Sequence, residues 1–322
     1  MPPIISVVVP TSRPGGLDVV CNGLLKQTLP PNDFELIFVD NLYEWRKEFV
    51  EDLTNRLPFS LKHHKPLGQW QFPVANYASS ANTGIHFAQG KYILFLADYT
   101  FLESSHLEDR VKQHRKLNNQ SAIFGNYTIS TLPPVAIQKN YIERTLIPVD
   151  AADTVNNKER EQREAVKIFC QDLYSGVFDN FKYSVFEEEF AGNFEGLEVY
   201  HTGYDYPQGD GTYMGGLFAT SIKNDSFCRD GLLFLNGFSE VYCGGHGYED
   251  ASMAFRWQSI GGVFFWEPNS VAKLLGIKTK FNCRVCLRSF VDNSNAYAHE
   301  TKKGQFNNEW DLITGIPHHR FW

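Results

Sequence analysis

Residues 79–100 read SSANTGIHFAQGKYILFLADYT, and this stretch decides the fold. Val74, Tyr77, Ala78, Ala81, Ile85 and Ala88 recur at helical spacing, which predicts a helix with one apolar stripe, stopped at Gly90. KYILFLAD (Lys91–Asp98) follows at once as a continuous apolar run. A run without polar alternation is a strand covered on both faces, as in a parallel sheet between helices. The same unit appears upstream. IISVVV (Ile4–Val9) reads as a strand, and Leu17, Val20, Cys21, Leu24 and Leu25 then share one helical face. FELIFVD (Phe34–Asp40) is a second strand, and Trp45, Phe49 and Leu53 mark a helix after it. Leu61 opens a short polar segment that suits a third, shorter strand. Repeated β-α units give an α/β class with a mainly parallel central sheet and helices on both faces.

Ligands of such sheets sit beyond the carboxyl ends of the strands. Pro10-Thr11-Ser12-Arg13, Asp40-Asn41 and Asp98-Tyr99-Thr100 all fall at those ends. They are distant in sequence, yet the topology is expected to bring them together. Residues 1–124 therefore read as a first, ligand-binding half. Residues 125–211, with the charged run NNKEREQRE (Asn156–Glu164), read as an insertion with some helix, either an acceptor lid or a scaffold extension. Residues 212–282 form a second compact part, the acceptor half, and residues 283–322 an irregular tail ending in HHRFW.

Bulk properties exclude several classes. At 322 residues and 43% hydrophobic the chain buries a large core, as one domain or two. A net charge of -7 without a basic block argues against nucleic-acid binding. No apolar run reaches the length of a membrane span. The start, MPPIISVVVPTSRP, lacks the basic and apolar regions of a secretory leader. Six scattered cysteines read as reduced thiols, so a cytoplasmic location is expected. Cys283-Arg-Val-Cys286 is a lone pair where zinc usually takes four ligands, and no zinc site is expected there.

The chemistry concentrates in GGHGYEDASMAFRWQSIGG, Gly244–Gly262. Glu249 and Asp250 open a helical pattern behind a glycine-rich approach. Adjacent carboxylates at a helix start either offset the helix dipole or present a base to a hydroxyl substrate. Their mutual repulsion raises one pKa toward a useful range. The strand-end residues supply the complement. Asp40 suits the edge of a uracil or other base, Arg13 a base or a phosphate, and Asp98 a divalent cation bridging a diphosphate. A glycosidase needs two carboxylates several ångströms apart across the scissile bond, which adjacent residues do not by themselves provide. No GxGxxG follows the first strand, which disfavours a dinucleotide oxidoreductase. PTSRPGG is a poor phosphate loop for a nucleotidyltransferase, and that alternative leaves the Glu249-Asp250 helix without a role.

These motifs resemble family 2 glycosyltransferases of the GT-A fold. SVVVPTSRPGG with LIFVDN is similar to their nucleotide-binding start. SSANTGIHFAQGKYILFLADYT resembles their RNxGIxxAxGxYIxFLDxD stretch, with Asn82, Gly84, Ala88 and Gly90 in place. GGLFATSIKNDSF, NGFSE and the Gly244–Gly262 run resemble the acceptor-side segment. The three blocks occur in the expected order over about half the chain. The resemblance implies inverting transfer of a sugar from a nucleoside diphosphate, with UDP-sugars favoured, to a hydroxyl of a glycan, a lipid-linked or a protein acceptor. It implies Asp250 as the base with Glu249 beside it. The expected donor-binding residues are Pro10, Thr11, Arg13, Asp40, Asn82, Asp98 and Lys273. A manganese or magnesium ion would sit on Asp98.

The chain departs from the family pattern in places. The DxD motif is reduced to Asp98-Tyr99-Thr100, and Ser252 replaces a further acidic residue. Lys273 and Leu274 stand where a metal-binding histidine is usual after Pro268. Either His299, His318 or His319 completes the metal site, or Lys273 neutralises the diphosphate and metal dependence is weak. A non-catalytic nucleotide-sugar or glycan-binding protein on the same fold is the alternative these departures raise.

Overall fold

The computed structural model describes residues 2–11, 17–41, 43–67, 77–98, 100–117, 119, 121–130, 199–200, 212–213, 223–243 and 248–275. Arg13, most of the expected insertion, the Cys283–Cys286 pair and the tail histidines 299, 318 and 319 lie outside them. Ten strands form one sheet: β1 (Ile5–Thr11), β2 (Phe34–Asp40), β3 (Ser60–His64), β4 (Tyr92–Leu96), β5 (Thr100–Leu102), β6 (Ser121–Ser130), β7 (Val199–Tyr200), β8 (Thr212–Tyr213), β9 (Asn224–Cys228) and β10 (Val263–Leu275). The helices are α1 (Leu17–Leu25), α2 (Tyr43–Thr54), α3 (Tyr77–Phe87), α4 (His106–Lys116), α5 (Arg229–Phe234) and α6 (Glu249–Ser259). Among the described residues no helix is long and apolar enough to cross a membrane.

The strand order is β3-β2-β1-β4-β9-β6-β10-β5, with β7 on β6 and β8 on β10. The first four strands are parallel to one another, as the apolar runs require. β9 then enters antiparallel between β4 and β6, so the sheet is mixed. β6 runs to Ser130 and pairs with β10 in parallel, which carries the sheet five residues past Gly125. The short polar segment at Leu61 is the edge strand β3.

Both faces of the parallel half are apolar because alternate side chains point to opposite sides. Val7, Val9, Leu36, Phe38, Leu94 and Leu96 pack with α1, α2 and α4. Val8, Ile37, Val39, Ile93 and Phe95 pack with α3, α5 and α6. α3 lies close on β1: a Cβ at Gly84 would stand 2.2 Å from Val8 Cγ1. Glycine is therefore a packing requirement at that helical position.

α4 departs from apolar burial. His106, Arg110 and His114, spaced four apart on one face, are all buried against the sheet. Arg110 donates to the carbonyls of Ile123 and Asn224 at 2.9 and 2.8 Å. His106 Nε2 lies 2.9 Å from Asn224 Oδ1, and His114 Nε2 lies 2.9 Å from Ser226 Oγ. Burial, reinforced by the Arg110 charge, lowers both histidines to about 3. They are neutral in the fold, and a neutral imidazole satisfies its partners without the cost of a buried charge.

Candidate active site

The ends of β1, β2 and β4 build the edge at which donor binding is expected. Thr11 pairs in register with Asp40, and Pro10 with Val39. Asn41, one residue beyond β2, places its backbone N–H and its Nδ2 3.0 and 2.9 Å from the Thr11 carbonyl. Thr11 Oγ1 donates to Asp98 Oδ2 at 2.7 Å. The three strand-end groups thus converge as the topology demands, with Arg13 outside the described residues. Lys273 sits in β10 opposite Phe101 of β5, and β5 begins two residues after Asp98. That register puts Lys273 on the strand beside the Asp98 segment.

Two expected donor residues face inward. Asp40 is fully buried, and its Oδ2 lies 3.0 Å from His63 Nε2. The His63 ring sits against Tyr43, centroids 4.5 Å apart. Asn82 is also fully buried. Its Nδ2 donates to the Phe238 carbonyl at 3.0 Å and to Glu240 Oε1 at 2.9 Å, while its Oδ1 accepts from Phe238 N–H at 2.6 Å. Asn82 straps α3 to the NGFSE loop, which follows α5 and pairs with no strand, so its peptide groups need partners elsewhere.

The same loop is shaped by two left-handed residues, Asn236 at φ 62° and Gly237 at φ 70°. A Cβ at Gly237 would stand 2.2 Å from Asn82 Oδ1, so the strap requires glycine there. Arg256 of α6, fully buried, donates to the carbonyls of Gly237 and Leu235 from below. α6 and the loop are therefore one unit. The Cys243 thiol, pushed up by burial, rests against the backbone of Ala78 and Ser79 and closes this unit on α3.

α6 begins at Glu249, and its cap residue Tyr248 is left-handed at φ 73°. A bulky residue in that conformation is costly, and such strain gathers at functional sites. Glu249 and Asp250 are half-buried in the first turn. Asp250 Oδ1 accepts from the Ala251 N–H at 2.8 Å. Ser252, at the position where the motif carries an acid, is fully buried behind them.

Tyr77 is the first residue of α3. Burial raises its phenol well above the usual tyrosine range, and the carboxylates of Glu249, Asp225, Asp250 and Asp98 add to the shift. One side chain thus senses the donor-end acid and the acceptor-side pair together. The sequence missed Tyr77 because an aromatic at helical spacing reads as core. It missed Asp225 because a buried acid inside the strand NDSFC breaks no recognisable pattern.

The cation reading concerns Asp98. Among the described residues no three His, Cys, Asp or Glu side chains gather to hold a metal. Magnesium-type sites often use one or two carboxylates and complete the shell with phosphate oxygens and water. A single carboxylate at the donor edge is compatible with a cation that arrives on a diphosphate.

No family model matches the chain. It is 24% identical over 217 residues to the poly(ribitol-phosphate) beta-N-acetylglucosaminyltransferase TarP of Staphylococcus aureus (strain N315), covering 63% of this chain and 61% of TarP. The S. aureus TarS 1-349 structure matches with a TM-score of 0.52 at 14% identity, covering 93% of this chain and 65% of that one. Its complex with UDP matches with the same TM-score at 13% identity and the same coverage. The chain thus spans less than two thirds of the length of these relatives. The chain is thus similar in sequence to TarP, and its fold is the α/β, mainly parallel GT-A-type fold of TarS.

Proposed function

We propose that the chain transfers a sugar from a UDP-sugar to a hydroxyl group, with inversion at the anomeric carbon. TarP's own name makes N-acetylglucosamine the first sugar to test and a poly(ribitol-phosphate) hydroxyl the first acceptor. The supporting observation is that the carboxylates of Glu249, Asp250 and Asp98 all act electrostatically on one phenol, that of Tyr77 at the start of α3. An acceptor base and a donor-end acid on facing elements are what a single displacement needs.

In this reading Asp250 takes the proton from the acceptor hydroxyl as its oxygen bonds to the anomeric carbon. The bond from that carbon to the diphosphate oxygen breaks on the opposite face, and UDP departs with the electron pair. Glu249 binds the acceptor or tunes Asp250. Thr11 holds the Asp98 carboxylate in place through its hydroxyl. A manganese or magnesium ion on Asp98 would supply charge neutralisation for the departing diphosphate. Lys273, one strand away, is the second source of positive charge.

The test is turnover of UDP-N-acetylglucosamine with a ribitol-phosphate polymer, with and without manganese, in the parent, Asp250→Asn and Lys273→Ala. Asp250→Asn should lose at least about a hundredfold in turnover while still binding UDP. Lys273→Ala should change turnover or its manganese dependence. A parent that binds UDP-sugars but never turns them over indicates a non-catalytic binding protein. A parent unaffected in melting temperature by any nucleoside diphosphate or its sugars overturns the reading altogether.

A further inference from the structure

α3 begins near the edge that holds Thr11, Asp40 and Asp98, where Ser80 Oγ lies 3.5 Å from Asn41 Nδ2. Its eleven residues carry the chain about 16 Å to the opposite edge of the sheet. There a cavity of about 600 Å³ opens, which none of the transfer steps uses. It is lined by Lys62 and His64 of β3, by His86, Phe87 and Gln89 at the end of α3, and by Arg229 of α5. Lys62 and His64 pair in register with Ile37 and Val39, so both share the sheet face that carries α3. The His64 ring stacks on Phe87, centroids 3.7 Å apart and 4° from parallel. Arg229 is anchored by its backbone N–H, 2.9 Å from the Lys91 carbonyl.

We propose that this cavity is an anion site that takes the phosphate group of a phosphate ester, with Arg229 as its charge and Lys62, His64 and Gln89 as further donors. It is independent of the transferase reading. No carboxylate among the described residues lines the cavity. The nearest acid, Glu35, is turned inward: its oxygens meet Lys62 Nζ at 2.7 Å, Ser6 Oγ at 2.6 Å and the Gln89 N–H at 2.7 Å. Lys62 also donates to the Phe87 carbonyl at 3.2 Å, which offsets the negative end of α3. The field that remains is positive. Burial, then the charges of His63, Lys62 and His86, lower His64 to about 4. His64 Nε2 and Arg229 Nε are buried with no hydrogen-bond partner among the described residues. Orphaned nitrogens of this kind call for an ion or a water, and a shift of either side chain into the cavity would pair it with an oxyanion. Donors come from a strand, a helix end and a second helix, which suits a tetrahedral oxyanion better than a flat carboxylate. The volume exceeds that of a bare phosphate and falls within the range of small-molecule sites, leaving room for the esterified group. The competing reading is a recess filled by water alone.

Titration of the full chain with inorganic phosphate at constant ionic strength separates the two. The His64 ring signals, followed by NMR, report where the ion sits, and calorimetry gives its affinity. The parent should show a saturable shift of the His64 ring, and acetate at the same concentrations should leave it unmoved. Arg229→Gln should weaken phosphate binding at least about tenfold, through loss of a charged partner. No saturable shift in the parent overturns the proposal, as does an affinity unchanged in folded Arg229→Gln or an equal response to acetate. Should that variant not fold, Arg229→Lys keeps the charge but loses the guanidinium fork, and should weaken binding about threefold or more. Equal affinity there overturns the proposal as well. Glycerol 3-phosphate and poly(ribitol-phosphate) then compete against inorganic phosphate. Displacement by glycerol 3-phosphate assigns the site to a free phosphate ester, and displacement by the polymer alone assigns it to a phosphodiester chain. Displacement by neither refutes an ester as the ligand. No transfer is measured, so a chain without transferase activity sinks the transferase reading and leaves this test intact.

Discussion

Replacing Asn82 with alanine tests the strap between α3 and the NGFSE loop. The side chain makes three buried hydrogen bonds, two with the peptide groups of Phe238 and one with Glu240. Alanine leaves the Phe238 N–H and carbonyl inside the protein without that partner, at about 1–3 kcal/mol each. The bond to the Glu240 side chain adds about 0.5–1.5 kcal/mol, as a typical intramolecular hydrogen bond does. These losses share one relaxation of the loop and do not sum fully. About 4 kcal/mol is the expected destabilisation, a large share of the roughly 5–15 kcal/mol by which such chains are stable. Urea unfolding followed by tryptophan fluorescence measures it. The midpoint should fall by roughly 1–2 M with the slope unchanged.

The same variant separates the strap from a direct donor contact. Asn82 is fully buried with its amide turned to Phe238 and Glu240, so UDP affinity of the folded variant should stay within about twofold of the parent's. A loss of stability below about 1 kcal/mol, accompanied by a tenfold loss of UDP affinity, would refute the strap and restore Asn82 to the donor side.

Two further outcomes follow from packing and from charge. Gly84→Ala should gain about 1 kcal/mol of helix propensity yet lose more to overpacking against Val8, for a net cost of about 1–2 kcal/mol. Its cost should be smaller in a Val8→Ala background, because the obstructing atom is Val8 Cγ1, and equal costs in both backgrounds would refute the close-approach explanation. Stability should also fall with acid. His106 and His114 bind protons only near pH 3 when folded but near 6.5 when unfolded, so their contribution is complete above pH 6.5 and is lost as pH falls below it. The slope reaches up to about 1.4 kcal/mol per pH unit for each histidine, and His114→Gln should roughly halve it. Urea midpoints from pH 7.5 to 5 check this, and a flat profile in the parent contradicts it.

The parallel half was legible because its information is local. An apolar strand buried on both faces reads directly from Val7–Val9, Ile37–Val39 and Ile93–Phe95, whose alternate members pack to opposite sides. The first turn of α6 was equally plain, since two acids before an apolar helical pattern are a local signal. What escaped is non-local. β9 carries Asn224 and Ser226 into the middle of the sheet, where their partners come from α4 more than a hundred residues earlier. Neither segment reads as core alone: the strand is polar, and its helix presents histidines and an arginine. Asn82 shows a subtler limit. The motif marked the position, but the residue it touches lies 156 positions away, and only the fold turns a donor-side expectation into a strap.

Electrostatics sets the remaining question at the donor edge. All four charged groups that act on Tyr77 are carboxylates, and under the proposed function a UDP-sugar would bring further negative charge to the same place. Like charges a few ångströms apart in a partly buried site repel by several kcal/mol even at an effective dielectric near 20. A donor with its diphosphate bare would be driven off, so positive charge must accompany or meet it. Two sources are consistent with the geometry: a divalent cation bridging the diphosphate to Asp98, and Lys273 on the strand beside that segment. They differ in what they demand of Asp98. A bridging cation needs its carboxylate as a ligand, so Asp98→Asn would weaken UDP binding only when manganese is present. A lysine needs no carboxylate, and the same change would then strengthen UDP binding by removing a repulsive charge. The sign of that one effect, read with and without manganese, assigns the positive charge to metal or to Lys273.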